Sequence, residues 1–239
     1  MIIVAKTDKG RVRAANQDSC FVSEGEMTYL AVADGMGGHK AGEVASATAI
    51  EAVRSFLTAD NLKKYKSTHE FLSECSKQAN VAVYSSSCEN PDYEGMGTTL
   101  VIAYLEGNKA FVTNVGDSRA YMIRNNEISQ VSVDHSVVQG LFESGQITRS
   151  EMRTHPKSNL ITRVIGTKNT VECDIFELEL NSDDVILLCS DGLNGMLEDE
   201  EILDIYTKSS DLNEFADELI NGANNAGGTD NITVAVLKF

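Results

Sequence analysis

TTLVIAYLEGNKAFVTNVGDS, residues Thr98–Ser118, contains two apolar runs joined by a short polar break. Thr98–Leu105 and Ala110–Val115 read as strands, and Glu106-Gly107-Asn108 between them reads as a hairpin turn, so the pair predicts antiparallel pairing. The second run ends in an aspartate, Asp117. Further strand-like runs lie on either side: Ile2–Ala5, Ser19–Ser23, Tyr29–Ala33, Ala120–Arg124, Ile128–Val133, Cys173–Leu178, Val185–Cys189 and Ile232–Leu237. Asn125-Asn126 is another tight-turn signal. Helical spacing groups Ala45, Ala49, Ala52, Val53 and Phe56 on one face, and Phe71, Leu72, Cys75, Ala79 and Ala82 on another. Asp211 and Glu214 form a capping signal ahead of Leu212, Phe215, Ala216, Leu219 and Ile220. Hairpin strands with amphipathic helices, and no regular βαβ alternation, predict an α+β protein with helices covering sheet faces.

No linker, repeat or low-complexity segment divides the 239 residues, which read as one domain. Between Asp134 and Gly166 the pattern changes to short helical pieces, with Thr148–Glu151 as a capping signal. Residues 134–166 read as an inserted helical flap; the alternative is that they complete the core.

Apolar residues make up 42% and charged residues 23%, ordinary for a globular chain. The longest apolar stretches, Leu100–Leu105 and Val185–Cys189, fall far short of the roughly 18 residues that cross a bilayer. The start, MIIVAKTDKGR, lacks the features of a signal peptide, so a cytoplasmic protein is expected. Five cysteines, odd in number and without CxxC pairs, argue against a disulfide framework and a zinc site. Cys20, Cys75, Cys173 and Cys189 read as small core residues. With 36 acidic against 20 basic residues the net charge is −16, which disfavours nucleic acid and anionic membrane as partners.

Some of the acidic residues stand where a solubilising surface does not explain them. LAVADG leads into Asp34, FVTNVGDS into Asp117 and VILLCSDG into Asp191; ITVAVL follows Asp230-Asn231, and CFV follows Asn16-Gln17-Asp18. Asp-Gly at a strand end is usually a turn, and for any one of these sites the turn reading wins. Five together at the rims of apolar strands are harder to dismiss. Four or five carboxylates gathered at one rim would repel one another by several kcal/mol unless cations neutralise them. Oxygen-only donors favour Mg²⁺ or Mn²⁺, and Gly35 could add its carbonyl. Arg13, close in sequence to Asn16-Gln17-Asp18, could hold a phosphoryl group bidentately. His39 could act as an acid or base, or be an exposed loop residue. The glycine-rich stretch Asp34–Gly42 lacks GxGxxG and a following GKS or GKT, which leaves a nucleotide site weakly supported.

Taken in order, RAANQD (Arg13–Asp18), DGMGGH (Asp34–His39), MGTT (Met96–Thr99), GDSR (Gly116–Arg119), SDGL (Ser190–Leu193) and TDNIT (Thr229–Thr233) resemble the motifs of the metal-dependent protein phosphatases. This is the protein phosphatase 2C or PPM family, and the resemblance, which spans essentially the whole chain, is to its bacterial members. It implies a four-layer αββα sandwich with two central antiparallel sheets. It also implies a metal centre at one end, with two Mn²⁺ or Mg²⁺ ions and a third. By this resemblance Asp34 bridges two metals and Gly35 supplies a carbonyl. Asp191 and Asp230 bind one metal, Asp18 contacts the second largely through water, and Asp117 with Asp191 helps hold the third. Arg13 matches the phosphate-binding arginine. Gln17 and Met36 depart from the eukaryotic pattern, which has Glu and His at those places.

The expected activity is hydrolysis of phosphoserine and phosphothreonine in proteins by a metal-bridging water, without a phosphoenzyme. A monomer that reverses the work of a cognate bacterial serine/threonine kinase is the expected setting. The rivals are a catalytically dead scaffold of the same fold, and an enzyme for small phosphorylated metabolites.

Overall fold

The computed structural model describes residues 1–37 and 41–239. His39 lies outside the described residues. In chain order the elements are β1 (Ile2–Asp8), β2 (Asp18–Ser23), β3 (Thr28–Met36), α1 (Ala41–Phe56), α2 (Ala59–Leu62), α3 (Thr68–Glu89), β4 (Gly97–Thr98), β5 (Leu100–Glu106) and β6 (Lys109–Val115). They continue with β7 (Arg119–Arg124), β8 (Glu127–Gln130), α4 (Val137–Glu143), α5 (Arg149–Met152), β9 (Asp174–Glu179), β10 (Val185–Cys189), α6 (Asp191–Asn194), α7 (Asp199–Lys208), α8 (Leu212–Asn225) and β11 (Ile232–Lys238).

The opening stretch forms the hairpin its sequence predicts. β5 and β6 pair antiparallel from Leu100↔Val115 to Glu106↔Lys109, and Gly107 takes φ 61° in the connection. Asn125 and Asn126, both at positive φ, close the β7–β8 hairpin; asparagine tolerates the left-handed region that such turns require. Two antiparallel sheets result, ordered β1-β11-β10-β7-β8 and β2-β3-β5-β6-β9, with β4 added beside β3.

Alternation along each strand builds the layers. Leu30, Val32, Val101, Ala103 and Val112 of one sheet meet Ala120, Met122, Ile186, Leu188, Ala235 and Leu237 of the other in an inter-sheet core. The residues between them face outward. Tyr29, Ala31, Ala33, Ile102 and Tyr104 are covered by the alanine stripe of α1 and by Phe71, Leu72, Cys75 and Ala79 of α3. Val4, Leu187, Val234 and Val236 are covered by Ile202 of α7 and by Leu212, Phe215, Ala216 and Leu219 of α8. The four-layer αββα sandwich is therefore present. Ser67 caps α3 and Asp211 caps α8, each accepting from backbone N–H groups of the first turn. Phe71, fully buried and stacked 5.3 Å from Phe56, anchors the first helical layer; its truncation to Ala would cost about 3–5 kcal/mol.

The structure corrects two readings. The strand expected over Ile128–Val133 ends at Gln130. Beyond it the N–H groups of both Val131 and Ser132 reach the same carbonyl, that of Ala120, so two residues oppose one and the ladder stops. Asp34-Gly35 is not a turn, because β3 runs through it to Met36. Residues 134–166 carry α4 and α5, are tied to the sandwich by the bridge Thr98↔Ile165, and are closed on themselves by Ser136↔Ile161. Among the described residues no helix is long and apolar enough to cross a membrane.

Candidate active site

The same alternation that fills the inter-sheet core also ends it. Ile3 and Ala5 precede Thr7 on one face of β1, Leu237 and Ala235 lead to Thr233 on β11, and Val22 and Cys20 lead to Asp18 on β2. On β3 the series is Leu30, Val32, Asp34, and beyond β10 it is Ile186, Leu188, Ser190. The apolar rows of both sheets thus terminate together in hydroxyls and carboxylates.

Asp18 and Asp34 are directly opposed in the β2–β3 ladder. Asp34 is pinned through its backbone: its N–H donates to Thr99 Oγ1 at 2.9 Å, and its carbonyl accepts from Thr98 Oγ1 at 2.8 Å and Thr99 N at 2.9 Å. Gly35 follows because no side chain fits there; a Cβ would stand 2.0 Å from the Gly42 carbonyl oxygen and 2.6 Å from that of Gln17. Asp191 opens α6, with Ser190 at the N-cap position. A Cβ on Gly192 would lie 2.0 Å from Asn231 O, so the absent side chain lets this turn close on Asp230-Asn231. Asn231 secures that loop by accepting from Gln17 N and donating to the carbonyls of Lys9 and Ala15. Asp117 sits in the bend between β6 and β7, where Gly116 takes φ 112°.

All five predicted aspartates therefore converge. Asp34 lies close enough to feel the charges of Asp18, Asp191, Asp117 and Asp230. Burial, reinforced by those neighbours, pushes Asp34 well above the usual carboxylate range. Burial first, then neighbouring aspartates, likewise raises Asp18 to about 7, Asp117 to about 8 and Asp191 to about 6. Two carboxylate oxygens in this cluster, Asp18 Oδ1 and Asp191 Oδ1, are buried without a hydrogen-bonding partner. Among the described residues no three Asp, Glu, His or Cys side chains close on one point as a ready cage. Unpartnered buried oxygens on hard carboxylate donors suit Mg²⁺ or Mn²⁺, so the residues present fit such ions.

Arg13, half exposed, donates from one terminal nitrogen to Asp230 Oδ2 at 2.6 Å. With Asp117, Asp191 and Asp230 it lines a cleft of about 960 Å³ that continues under 134–166 past Val138, Phe142 and Arg153. Arg153 of the segment after α5 donates to the carbonyls of Gly195 (3.0 Å) and Asn194 (3.3 Å) and pairs with Glu198, while Arg149 meets Asp199 at 3.2 Å.

Sequence reasoning did not single out several residues that build this site. Arg119 makes a two-pronged pair with Asp134 (3.0 and 2.8 Å) beside Asp117. Ser190 and Thr233 both donate to Asp18 Oδ2, at 2.7 and 2.6 Å. Each lies inside or beside a motif quoted for its aspartate, and that adjacency was the available signal.

The protein phosphatase 2C family model matches residues 8–235. The serine/threonine phosphatase Stp of Listeria welshimeri is 38% identical over 98% of this chain and 94% of its own. The crystal structure of the serine/threonine phosphatase Stp1 from Staphylococcus aureus superposes with a TM-score of 0.92 at 38% identity, covering 99% of this chain and 94% of that one. The catalytic domain of the phosphatase PstP, solved with two manganese ions, gives 0.86 at 37% identity over 98% and 96%. Fold and sequence are of the class of the bacterial serine/threonine phosphatases. The chain belongs to the protein phosphatase 2C family.

Proposed function

We propose that this protein hydrolyses phosphoserine and phosphothreonine in phosphoproteins by direct attack of water, in a reaction that depends on Mn²⁺ or Mg²⁺. The observation that carries the reading is the cluster of five aspartates, two of whose oxygens are buried without a partner. Asp34, Asp191, Asp230 and the Gly35 carbonyl would hold the ions with Asp18, and Asp117 with Asp191 would hold a third. When bound, the ions would supply Lewis-acid activation and charge neutralisation.

The chain's own residues do the rest. Asp18 and Asp34, fixed opposite each other on paired strands, set the depth of the site. Arg13 stands at the mouth with its guanidinium held by one nitrogen only, leaving further donors for phosphoryl oxygens. Residues 134–166 form a flap that walls the cleft and restricts what enters. Relatives named serine/threonine phosphatases support phosphoprotein substrates, and a cognate serine/threonine kinase would supply them.

The test is hydrolysis of a phosphothreonine peptide and a chromogenic phosphate ester with Mn²⁺, with chelator, and by Asp191→Asn. Activity that needs Mn²⁺ and falls at least 100-fold in the variant, the scale on which one catalytic electrostatic group acts, supports the reading. Activity that survives chelator and substitution rejects it.

A further inference from the structure

Asp18 offers the metal site one oxygen, and the other is fully engaged. Oδ2 accepts hydroxyl protons from Ser190 (2.7 Å) and Thr233 (2.6 Å), whereas Oδ1 is buried and unpartnered. The hydroxyls are themselves ordered from behind. Thr233 Oγ1 lies 2.7 Å from Thr7 Oγ1, its register partner across the β1–β11 ladder. Thr7 Oγ1 accepts from Asn16 Nδ2 at 2.8 Å, and Asn16 Oδ1 accepts from Asp18 N at 3.1 Å, which fixes which end of that amide donates.

Each hydroxyl has one proton, so the direction of this chain follows from its two ends. The Asn16 amide can only donate to Thr7. Thr7 must therefore pass its own proton to Thr233, and Thr233 must pass its to Asp18, which in the ionised form that binds a cation can only accept. Ser190 takes the N–H of Thr233 at 3.0 Å and is left with its proton for the same oxygen. Neither end permits the reverse order.

We propose that Asn16, Thr7, Thr233 and Ser190 are positioning residues: a directional hydrogen-bond relay that locks Asp18 in one orientation and reserves Oδ1 for a cation. Outer partners of this kind tune metal affinity, and their loss typically weakens it 10–100-fold. Thr7 is the decisive member because it is solvent-exposed, two hydrogen bonds removed from the carboxylate it organises, and easily replaced by valine, which suits a strand.

The inference rests on the metal-dependent reading above, and its test separates the two. The full chain, stripped with chelator, is titrated with MnCl₂ by calorimetry as wild type, Thr7→Val and Thr7→Ser. The expectation is about tenfold weaker Mn²⁺ binding at one class of site in Thr7→Val and recovery in Thr7→Ser. The Mn²⁺ concentration for half-maximal activity should rise by the same factor, with kcat at saturating Mn²⁺ unchanged. Asn16→Ala, in the loop before β2, carries the same expectation should Thr7→Val fold poorly. Wild-type affinity in folded Thr7→Val, or a Thr7→Ser as weak as Thr7→Val, overturns the relay while leaving the metal reading intact. A wild-type chain that binds no Mn²⁺ takes down both.

Discussion

Asp18 and Asp34 are cross-strand partners in the β2–β3 ladder, so two carboxylates share one face of the sheet at the distance where like charges destabilise directly opposed residues. Burial pushes both of them, with Asp117 and Asp191, up from the ordinary 3.8: Asp191 to about 6, Asp18 to about 7, Asp117 to about 8, and Asp34 well above the usual carboxylate range. The folded, metal-free chain therefore holds protons that the unfolded chain has released. Stability from a raised carboxylate is fully present below the unfolded value and is lost as pH rises through the folded one. In chelator the melting temperature should fall between pH 4 and about 8, and Mn²⁺ should flatten that slope. Scanning calorimetry across this window checks it, and a flat profile in chelator would count against the clustered carboxylates.

Gly35→Ala should be more damaging than a methyl group suggests. Its Cβ would collide with two backbone carbonyls, those of Gly42 and Gln17, neither of which can rotate away. Overpacking of this kind costs about 1–3 kcal/mol, and the displaced strand carries Asp34. Thermal melting and Mn²⁺-dependent hydrolysis should both decline, whereas Gly107→Ala, in an open turn, should leave hydrolysis untouched.

Arg13→Ala should raise KM for a phosphopeptide about tenfold and lower kcat less. Its pair with Asp230 is half exposed, and such pairs contribute about 0–1 kcal/mol to stability. Unchanged KM in steady-state kinetics would remove Arg13 from substrate binding.

Asp134→Ala should be costly because it strands the largely buried Arg119, whose other side-chain partner among the described residues is Tyr121 Oη. Breaking a buried pair from one side costs about 3–5 kcal/mol. Denaturant unfolding would show it, and the double substitution Arg119→Met with Asp134→Leu should be milder than Asp134→Ala alone.

The clasp between residues 149–153 and 194–199 gives a separate expectation. Arg153→Ala removes three contacts to the segment that continues from Asp191. Hydrogen exchange at 194–198 should accelerate and KM should change, with the melting temperature little affected. Exchange at the wild-type rate would mean that residues 134–166 are held elsewhere.

The strands were legible because their apolar runs are bounded by turn residues, and Val185–Cys189 is read to the residue. The aspartates were legible because Asp is conspicuous at the end of an apolar run. α7 was not, since Asp199, Glu200 and Glu201 crowd its first turn and Ile202 is its one buried residue. The relay behind Asp18 was also hidden. Thr7, Thr233 and Ser190 are ordinary strand-end hydroxyls until the pairing of β1 with β11 brings them together. Arg153 reaches carbonyls more than forty residues away, and a contact of that kind leaves no local pattern.

That pairing also has a temporal side. Residues 2–8 are joined by a strand, 232–238, that the ribosome makes more than two hundred residues later, and Thr233 reaches Asp18 across a separation of 215 positions. Asp18 is thus synthesised early and oriented late. A nascent chain stalled before Ile232 would contain all five aspartates, but β1 would lack its ladder partner and Asp18 the hydroxyl from Thr233. Competence in such a molecule would arrive abruptly with its last strand rather than accumulate along the chain.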